Sequence, residues 1–202
     1  MTYNERMVSV LDERQDYSEE QFENMNLIGE EITGKEFEQC SFRKCRFLQC
    51  TFTRCRFIDC TFSESMLSAI KFIECSFMET VFQDCKAIGI NWTRAGKTLR
   101  GLQFIDSDLS QSVFCYLKLP QLVMKRCIAK NVDFSETDCA KADFEGTDFE
   151  RSIFLRTNLT ETNFKRAFNY TIDARSNILK KTKFSLPEAV SLLSGLDIVL
   201  DD

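Results

Sequence analysis

The sequence predicts an all-β solenoid, and three observations support that fold class. First, a large apolar residue recurs every five positions along most of the 202 residues. Second, a small residue lies two positions before most of these large ones. Third, the other three positions of each pentapeptide are mostly polar or charged. A period of five fits neither an α-helix, which repeats near 3.6, nor a flat strand, which repeats at 2.

The large apolar residues, named centres here, fall into two frames. A centre recurs every five residues from Phe22 to Trp92 in the first frame and from Phe104 to Phe164 in the second. The frames differ by two residues, so the chain slips between Trp92 and Phe104. A backbone that turns a corner every five residues closes a square coil, and such coils stack at about 4.8 Å. Each coil buries its apolar edge only against its neighbours, so the stack is the stable unit.

The residues around the centres resemble the pentapeptide-repeat family, in which Ala, Cys, Ser or Thr lies two positions before a Leu or Phe. The resemblance covers about residues 20–168, between a lead-in at 1–19 and a capping and dimerisation segment at 169–202. It implies a right-handed quadrilateral β-helix with a short C-terminal capping helix and strand. We expect about seven coils over 20–168, roughly 34 Å in length.

Two stretches depart from the repeat. Residues 93–102, TRAGKTLRGL, break the frame and carry Arg94, Lys97 and Arg100. This stretch is either a surface loop at one edge of a coil or a loop that contacts a partner, because insertions in solenoids project from one face. Pro120 cannot donate to a strand ladder, so a local irregularity or kink is expected there.

The C-terminal stretch FSLPEAVSLLSGLDIVLDD is predicted to cap the solenoid. Ser185 is the expected helix N-cap, with Glu188 completing a capping box and Gly195 at the helix end. The segment is either a simple cap or a cap that also dimerises, and its excess of apolar residues favours the dimer. The predicted dimer interface comprises Leu192, Leu193, Leu196, Ile198, Val199 and Leu200.

Ten cysteines raise two alternatives, a zinc or redox site and simple packing. Zinc favours short CxxC pairs that converge on one point, whereas the cysteines from Cys40 to Cys60 recur every fifth position and fall on successive faces. Cysteines one full coil apart, such as Cys40 and Cys60, should stack closely enough for a disulfide, which a cytosolic setting opposes. A buried free cysteine acts as a small apolar residue, so packing is preferred, and neither metal nor cofactor is expected.

Charge is distributed unevenly in a chain of net charge −5. The N-terminal coils are basic over 35–56, and residues 133–161 are strongly acidic. Asp133, Asp138, Asp143 and Asp148 occupy the same slot in four successive pentapeptides, one on each face. These residues either bond to the corner backbone or form an anionic rod that imitates DNA. The acidic ring comprises Asp133, Glu136, Asp138, Asp143, Glu145, Asp148 and Glu150.

The composition argues against an enzyme. The chain has no histidine, which is the commonest general base and neutral metal ligand. It also has no phosphate-binding loop motif and no nucleophile with an evident base. The N-terminus is polar and no apolar run approaches the ~18 residues that span a bilayer, so a cytoplasmic protein is expected.

Two further stretches, GINWT at 89–93 and the C-terminal FSLPEAVSLLSGLDIVLDD, resemble the gyrase-protecting subgroup of albicidin-resistance and Qnr quinolone-resistance proteins. The resemblance implies a homodimer that imitates DNA and protects DNA gyrase and topoisomerase IV from inhibitors, without binding nucleic acid or membrane. The acidic ring, with Arg94, Lys97 and Arg100, is then the predicted gyrase-binding surface. Because fold alone does not decide function, a scaffold or signalling module with an unrelated partner is the alternative.

Overall fold

The computed structural model is a parallel β-solenoid of about eight turns, as the pentapeptide period predicts. It describes residues 14–96 and 98–196, together with Leu11 and Ile198. Two 3-10 helices, η1 (Trp92–Arg94) and η2 (Glu188–Gly195), accompany the strands. The strands of the described residues are β1 Asp16–Ser18, β2 Gln21–Glu23, β3 Asn26–Ile28, β4 Glu31–Thr33, β5 Glu36–Glu38, β6 Ser41–Arg43, β7 Arg46–Leu48, β8 Thr51–Thr53, β9 Arg56–Ile58, β10 Thr61–Ser63, β11 Lys71–Ile73, β12 Ser76–Met78, β13 Val81–Gln83, β14 Leu99–Arg100, β15 Gln103–Ile105, β16 Val123–Lys125, β17 Asn163–Phe164 and β18 Lys183–Phe184.

The strands stack in parallel ladders that form the four faces of a square rod. Face A contains β1-β5-β9-β12-β14, face B contains β2-β6-β10-β13-β15-β16, face C contains β3-β7, and face D contains β4-β8-β11. Isolated parallel bridges continue all four faces through the C-terminal coils. In the N-terminal coils each residue pairs with its counterpart four pentapeptides later, as Phe37 does with Phe57. This register confirms the predicted square coil.

The core is a set of stacked side chains inside the coils. Every centre from Phe22 to Phe164 is buried. On face A, the rings of Phe37 and Phe57 stack with centroids 5.2 Å apart, and those of Phe57 and Phe77 are 4.9 Å apart. Offset aromatic stacks of this kind add to the free energy gained by burying apolar area.

Nearly every corner is turned by the second residue after a centre, which adopts a positive φ; after Trp92 the chain forms η1 instead. Most of these residues are polar or charged rather than glycine, such as Lys44 at 53° and Glu136 at 56°. A non-glycine residue in this region costs about 1–2 kcal/mol, which the backbone ladder offsets. At many corners of the C-terminal coils a further bond closes a type II turn, as where Thr137 N–H donates to Phe134 O at 3.2 Å.

The predicted kink at Pro120 is wrong. Pro120 occupies the second position of a turn closed by the Leu122 N–H and the Leu119 carbonyl at 3.2 Å. Proline's fixed φ suits this position of a type II turn. Leu119 and Gln121 on either side still donate to the next coil at 2.8 Å, so the ladder continues past the proline.

The two-residue insertion that shifts the frame occupies a shorter stretch than the predicted residues 93–102. Phe77 pairs with Leu99 rather than with position 97, so both extra residues lie between Trp92 and Leu99. Gly96 N–H donates to Cys75 O at 2.6 Å. A Cβ on Gly96 would lie 2.8 Å from that oxygen, so glycine allows this close approach. The insertion is therefore held against the rod, and Lys97 lies outside the described residues.

The solenoid extends beyond residue 168. Tyr170 and Ile172 are buried where the five-residue period fails, and the frame then returns at Leu179 and Phe184, which pack against the core. Phe184 pairs with Phe164 of the preceding coil. The last coil thus closes about one turn later than the sequence analysis placed it.

The C-terminal cap contains the expected short helix, but the predicted capping box is wrong. The residue before η2 is Pro187, which makes no side-chain capping bond. Ser185 Oγ instead accepts a bond from Arg166 N–H at 3.1 Å, in the coil below. The hydroxyl therefore ties the cap to the rod rather than the helix to itself. Of the helices described, none has the length and apolar character needed to cross a lipid bilayer.

Candidate functional site

The acidic ring lies at one level of the rod, with one aspartate on each face. Asp133 is on face D, Asp138 on face A, Asp143 on face B and Asp148 on face C, each bridged to the coils on both sides. Each of these aspartates immediately precedes a centre, and the side chain at that position points away from the core. The fivefold spacing therefore distributes the four carboxylates around the square, as the sequence predicts.

Each ring aspartate bonds to its own corner. Its Oδ1 accepts the N–H two residues on, at 2.8 Å for Asp133, 3.1 Å for Asp138, 3.3 Å for Asp143 and 3.1 Å for Asp148. This is the Asx-turn arrangement, in which a side chain substitutes for a backbone acceptor. The corner-bonding interpretation is thus correct for all four, and these bonds fix the direction of each carboxylate.

Neighbouring cations neutralise much of the ring. Lys125 Nζ lies 2.6 Å from Asp143, and Lys130 Nζ lies 3.2 Å from Asp148 and 2.7 Å from Glu150. Glu136 and Glu145 are paired with arginines of the next coil, Arg156 and Arg166. Within the described part of the chain, only Asp133 and Asp138 of the ring have no ion pair. The ring is therefore less anionic than its residue types suggest.

A signal in the sequence could have identified these pairs. Residues four pentapeptides apart lie side by side on adjacent coils, so Lys130 faces Glu150 and Lys125 faces Glu145. The distance between Lys125 Nζ and Glu145 is 4.0 Å. Adding up the charges along a continuous stretch of sequence does not show this neutralisation between coils. Comparing residues four pentapeptides apart does.

A basic band between the ring and the C-terminal end was missed by the sequence analysis. Residues 151–183 carry eight basic and two acidic side chains. Four lysines of the band have no ion pair among the residues that the structure describes: Lys165, Lys180, Lys181 and Lys183. The acidic level of the rod is thus followed directly by a basic one.

The arginines of the frame slip lie apart from the ring. Arg94 ends η1 and is exposed, and the Arg100 guanidinium lies 3.6 Å from Glu79. Their coil is two coils from the one that contains Asp133, roughly 10 Å along the rod. The two sets of residues therefore lie at different levels of the rod, although Arg100 and Asp143 line one groove between them.

The cysteines are core residues, and nine of the ten are buried. Their thiols donate to backbone carbonyls, as Cys45 Sγ does to Phe22 O at 3.4 Å. Burial raises the pKa of Cys45 to about 11 and that of Cys60 to about 12. These thiols are therefore neutral and weakly nucleophilic near pH 7. The described residues contain no group of Cys, Asp and Glu arranged to hold a metal ion.

The predicted dimer residues are partly exposed at the C-terminal end. Leu193, Leu196 and Ile198 are exposed, whereas Leu192 packs against the core. Val199 and Leu200 lie outside the described residues. Two exposed apolar residues of the same end, Leu186 and Val190, were not in the prediction.

Comparisons with known proteins agree with the repeat and the fold. A family model for the pentapeptide repeat region matches residues 35–98, and one for pentapeptide repeats matches residues 130–167, together about half of the chain. No curated protein sequence matches. A trypsin-treated variant of QnrB1, a plasmid-mediated fluoroquinolone resistance protein, is similar in structure with a TM-score of 0.62 and 19% identity, over 93% of this chain and 92% of that one. Full-length QnrB1 has a TM-score of 0.57 and 17% identity, over 91% and 100%.

Proposed function

Because the chain belongs to the pentapeptide-repeat family, we propose that it is a gyrase-protecting member of that family. It binds DNA gyrase, with topoisomerase IV as a second partner, and protects the enzyme from inhibitors by occupying the DNA site. It is a cytoplasmic binding protein rather than an enzyme, and it binds neither nucleic acid nor membrane directly.

One observation carries this proposal: four carboxylates lie at one level of a straight-sided rod, one on each face. The Asx bonds hold them in fixed directions, so little conformational entropy is lost when a partner binds them. A protein surface that holds DNA carries many Lys and Arg side chains. The likeness in fold to a fluoroquinolone resistance protein, over more than nine-tenths of both chains, supports the same role.

The ring carboxylates contribute unequally in this proposal. Asp143 and Asp148 are already paired with Lys125 and Lys130, so a cation of the partner would compete with an existing bond. Asp133 and Asp138 have no ion pair within the described residues and accept a new cation without losing one. These two aspartates therefore make the main charge contacts with gyrase.

The protein acts as a dimer joined through its C-terminal ends. The exposed apolar residues there, among them Leu186, Val190 and Leu193, suit an isologous contact in which the same surface is used twice. The basic bands of both protomers then lie in the middle of the double-length rod, with one acidic ring on either side. On this arrangement the middle of the dimer is basic rather than acidic.

The test is a gyrase supercoiling assay with a fluoroquinolone, titrated with the protein. The variant Asp133→Asn/Asp138→Asn keeps the corner bonds and should require at least tenfold more protein for equal protection, about 1.4 kcal/mol of binding. Asp143→Asn/Asp148→Asn changes net charge equally and should require less than threefold more. Raised salt should weaken protection by the parent protein.

Three results of this assay would count against the proposal. If the parent protein neither binds nor protects gyrase, the proposed function is wrong and an unrelated partner is the better explanation. If both double variants lose protection equally, net charge rather than the unpaired carboxylates decides binding. If neither loses protection, DNA imitation by the ring is wrong.

A further inference from the structure

Face D carries an exposed apolar surface around one carboxylate. Asp133 lies between Val113 and Ile153 in a column of parallel bridges. Tyr116 and Leu155 come from the coils on either side, since Tyr116 N–H donates to Ser135 O and the Leu155 carbonyl accepts Glu136 N–H. Tyr116 is 70% exposed, Ile153 52% and Leu155 42%. These residues, Val113, Tyr116, Asp133, Ile153 and Leu155, are named the Asp133 surface.

Face C has the same arrangement, but its carboxylate is satisfied within the chain. Asp148 lies between Ile128 and Phe168, which are 45% and 39% exposed. It is itself only 8% exposed. Its oxygens accept from Lys130 at 3.2 Å and from Asn169 Nδ2 at 2.8 Å, besides the corner N–H. Face C therefore offers a partner apolar contact without an unmet charge.

Asp133 lacks these partners. Its Oδ1 accepts the Ser135 N–H at 2.8 Å, and no cation pairs with it in the described part of the chain. A partner that covers Ile153 and Leu155 also removes water from Asp133. A carboxylate that loses water without gaining a cation carries a large free-energy penalty. The surface therefore selects a partner that brings a positive side chain together with apolar ones.

We propose that the Asp133 surface is the docking surface of the rod, and that it binds a protein surface on which a Lys or Arg lies between apolar side chains. The inference rests on the proposed function, so gyrase supplies this surface. Exposed apolar patches on soluble proteins mark interaction sites, and tyrosine is enriched among the residues that dominate binding. Face D would then make the central contact with the enzyme, with Asp138 of the adjoining face A at the margin of that contact.

Charge argues against two other occupants. A second copy bound by an isologous contact on this face would place one Asp133 close to the other, and two like charges repel when water is excluded. Nucleic acid would bring phosphates towards Asp133 and Glu136, with the same result. A cationic protein surface is the occupant that removes the unmet charge.

The experiment measures binding of full-length variants to purified gyrase by surface plasmon resonance. The face D variant, Tyr116→Ser/Ile153→Thr/Leu155→Thr, should bind at least tenfold more weakly than the parent. The matched face C variant, Ile128→Thr/Phe168→Thr, should bind within twofold of the parent. Asp133→Lys, which leaves the apolar residues in place, should also weaken binding at least tenfold. Thermal melts of each variant exclude loss of folding as the cause.

The outcomes separate the inference from the proposed function. If the parent binds gyrase and the folded face D variant binds equally well, the docking surface lies elsewhere and the proposed function stands. If the parent does not bind gyrase, both are overturned. If the face D variant binds gyrase normally but sedimentation shows that it forms a smaller oligomer than the parent, a second copy of the chain covers this face. The inference is then wrong.

Discussion

The N-terminal coils, residues 16–94, and the C-terminal coils, residues 99–168, build the same square rod with different chemistry. In the N-terminal coils the small inward residue is mostly cysteine, whose thiol donates weakly, as Cys45 does to Phe22 O at 3.4 Å. In the C-terminal coils it is mostly Thr or Ser, and Thr137 Oγ1 donates to Phe114 O at 2.9 Å. The comparison shows that the five-residue period determines the backbone, whereas the stabilising interactions vary.

The aromatic core also differs between the N-terminal and the C-terminal coils. Face B of the N-terminal coils contains a continuous stack from Phe22 to Phe82, which Phe104 of the C-terminal coils extends, and its rings are 4.5–5.0 Å apart. The C-terminal coils mix Phe with smaller centres such as Leu109 and Ala129. They also hold most of the turn bonds and Asx bonds of the described residues, although Asn91 makes an Asx bond at the end of the N-terminal coils. We therefore expect the N-terminal coils to depend on packing and the C-terminal coils on polar bonds.

The largest expected effect is the loss of one ring from the N-terminal stack. Phe57→Ala removes the partner of both Phe37 and Phe77 and should lower the free energy of unfolding by about 4 kcal/mol. Leu109→Ala in the C-terminal coils should cost about 3 kcal/mol. Urea unfolding followed by circular dichroism measures both. If the two costs are equal, packing does not distinguish the halves.

The second effect comes from pH, since the N-terminal coils hold seven of the ten cysteines. Burial raises the pKa of Cys45 to about 11 and of Cys60 to about 12, from 9.0. A group with a raised folded-state pKa stabilises the fold fully below its unfolded pKa, and this stability is lost as pH rises towards the folded pKa. Between pH 8 and pH 10, the parent should therefore lose about 2 kcal/mol more than Cys45→Ser/Cys60→Ser.

The measurement for this pH effect is urea unfolding of both proteins under reducing conditions at the two pH values. The serine variant is a suitable control because Ser65 already fills the same inward position and donates to Phe42 O at 3.2 Å. Equal losses in the two proteins would show that the buried thiols do not cause the alkaline instability.

The third effect tests the hydroxyl ladder of the C-terminal coils. Thr137→Val keeps the shape of the side chain but removes its bond to Phe114 O, and should cost about 1–2 kcal/mol. Cys60→Ser in the N-terminal coils should change stability by less than about 1 kcal/mol. Both are measured at pH 7 by urea unfolding. A neutral Thr137→Val would mean that the hydroxyl ladder contributes nothing beyond packing.

The smallest effect concerns the Asx bonds. Asp138→Ala removes the acceptor for Ala140 N–H and Asn158 Nδ2, at 3.1 and 2.8 Å, and should cost about 1 kcal/mol. Asp138→Asn keeps an acceptor oxygen and should be nearly neutral. Ser41 holds the equivalent position in the N-terminal coils, and Ser41→Ala should also be nearly neutral. Thermal melts of the three variants, compared with the parent, check this order.

The sequence was sufficient to predict the architecture, because the position of each centre along the chain determines the coil and the face on which it lies. A residue of the first frame such as Phe57 could be assigned to a coil and a face by counting in fives. Counting in fives did not predict the features that depend on local backbone geometry. The return of the ladder at Leu99 depends on the close approach that Gly96 allows, and Pro120 fits because its corner needs no N–H there.

The candidate site was less predictable, because its properties depend on neighbours from adjacent coils that are distant along the sequence. Asp133 and Asp148 occupy identical slots, yet Asp148 is paired with Lys130 and Asp133 has no ion pair among the described residues. The lysines of the basic band, such as Lys181, were overlooked because they follow the point where the repeat weakens. Both features follow from coil stacking rather than from residue type.

The four-sided coil also governs how such a rod can change in length over evolution. Removing one whole coil would shorten the rod by about 4.8 Å and leave every remaining side chain on its original face. Removing a single pentapeptide would turn everything beyond it by a quarter of a revolution. Asp133 would then face the direction that a neighbouring side of the rod now occupies. Whole-coil gains and losses therefore adjust reach without altering which surfaces are presented together, whereas single-repeat changes redistribute them.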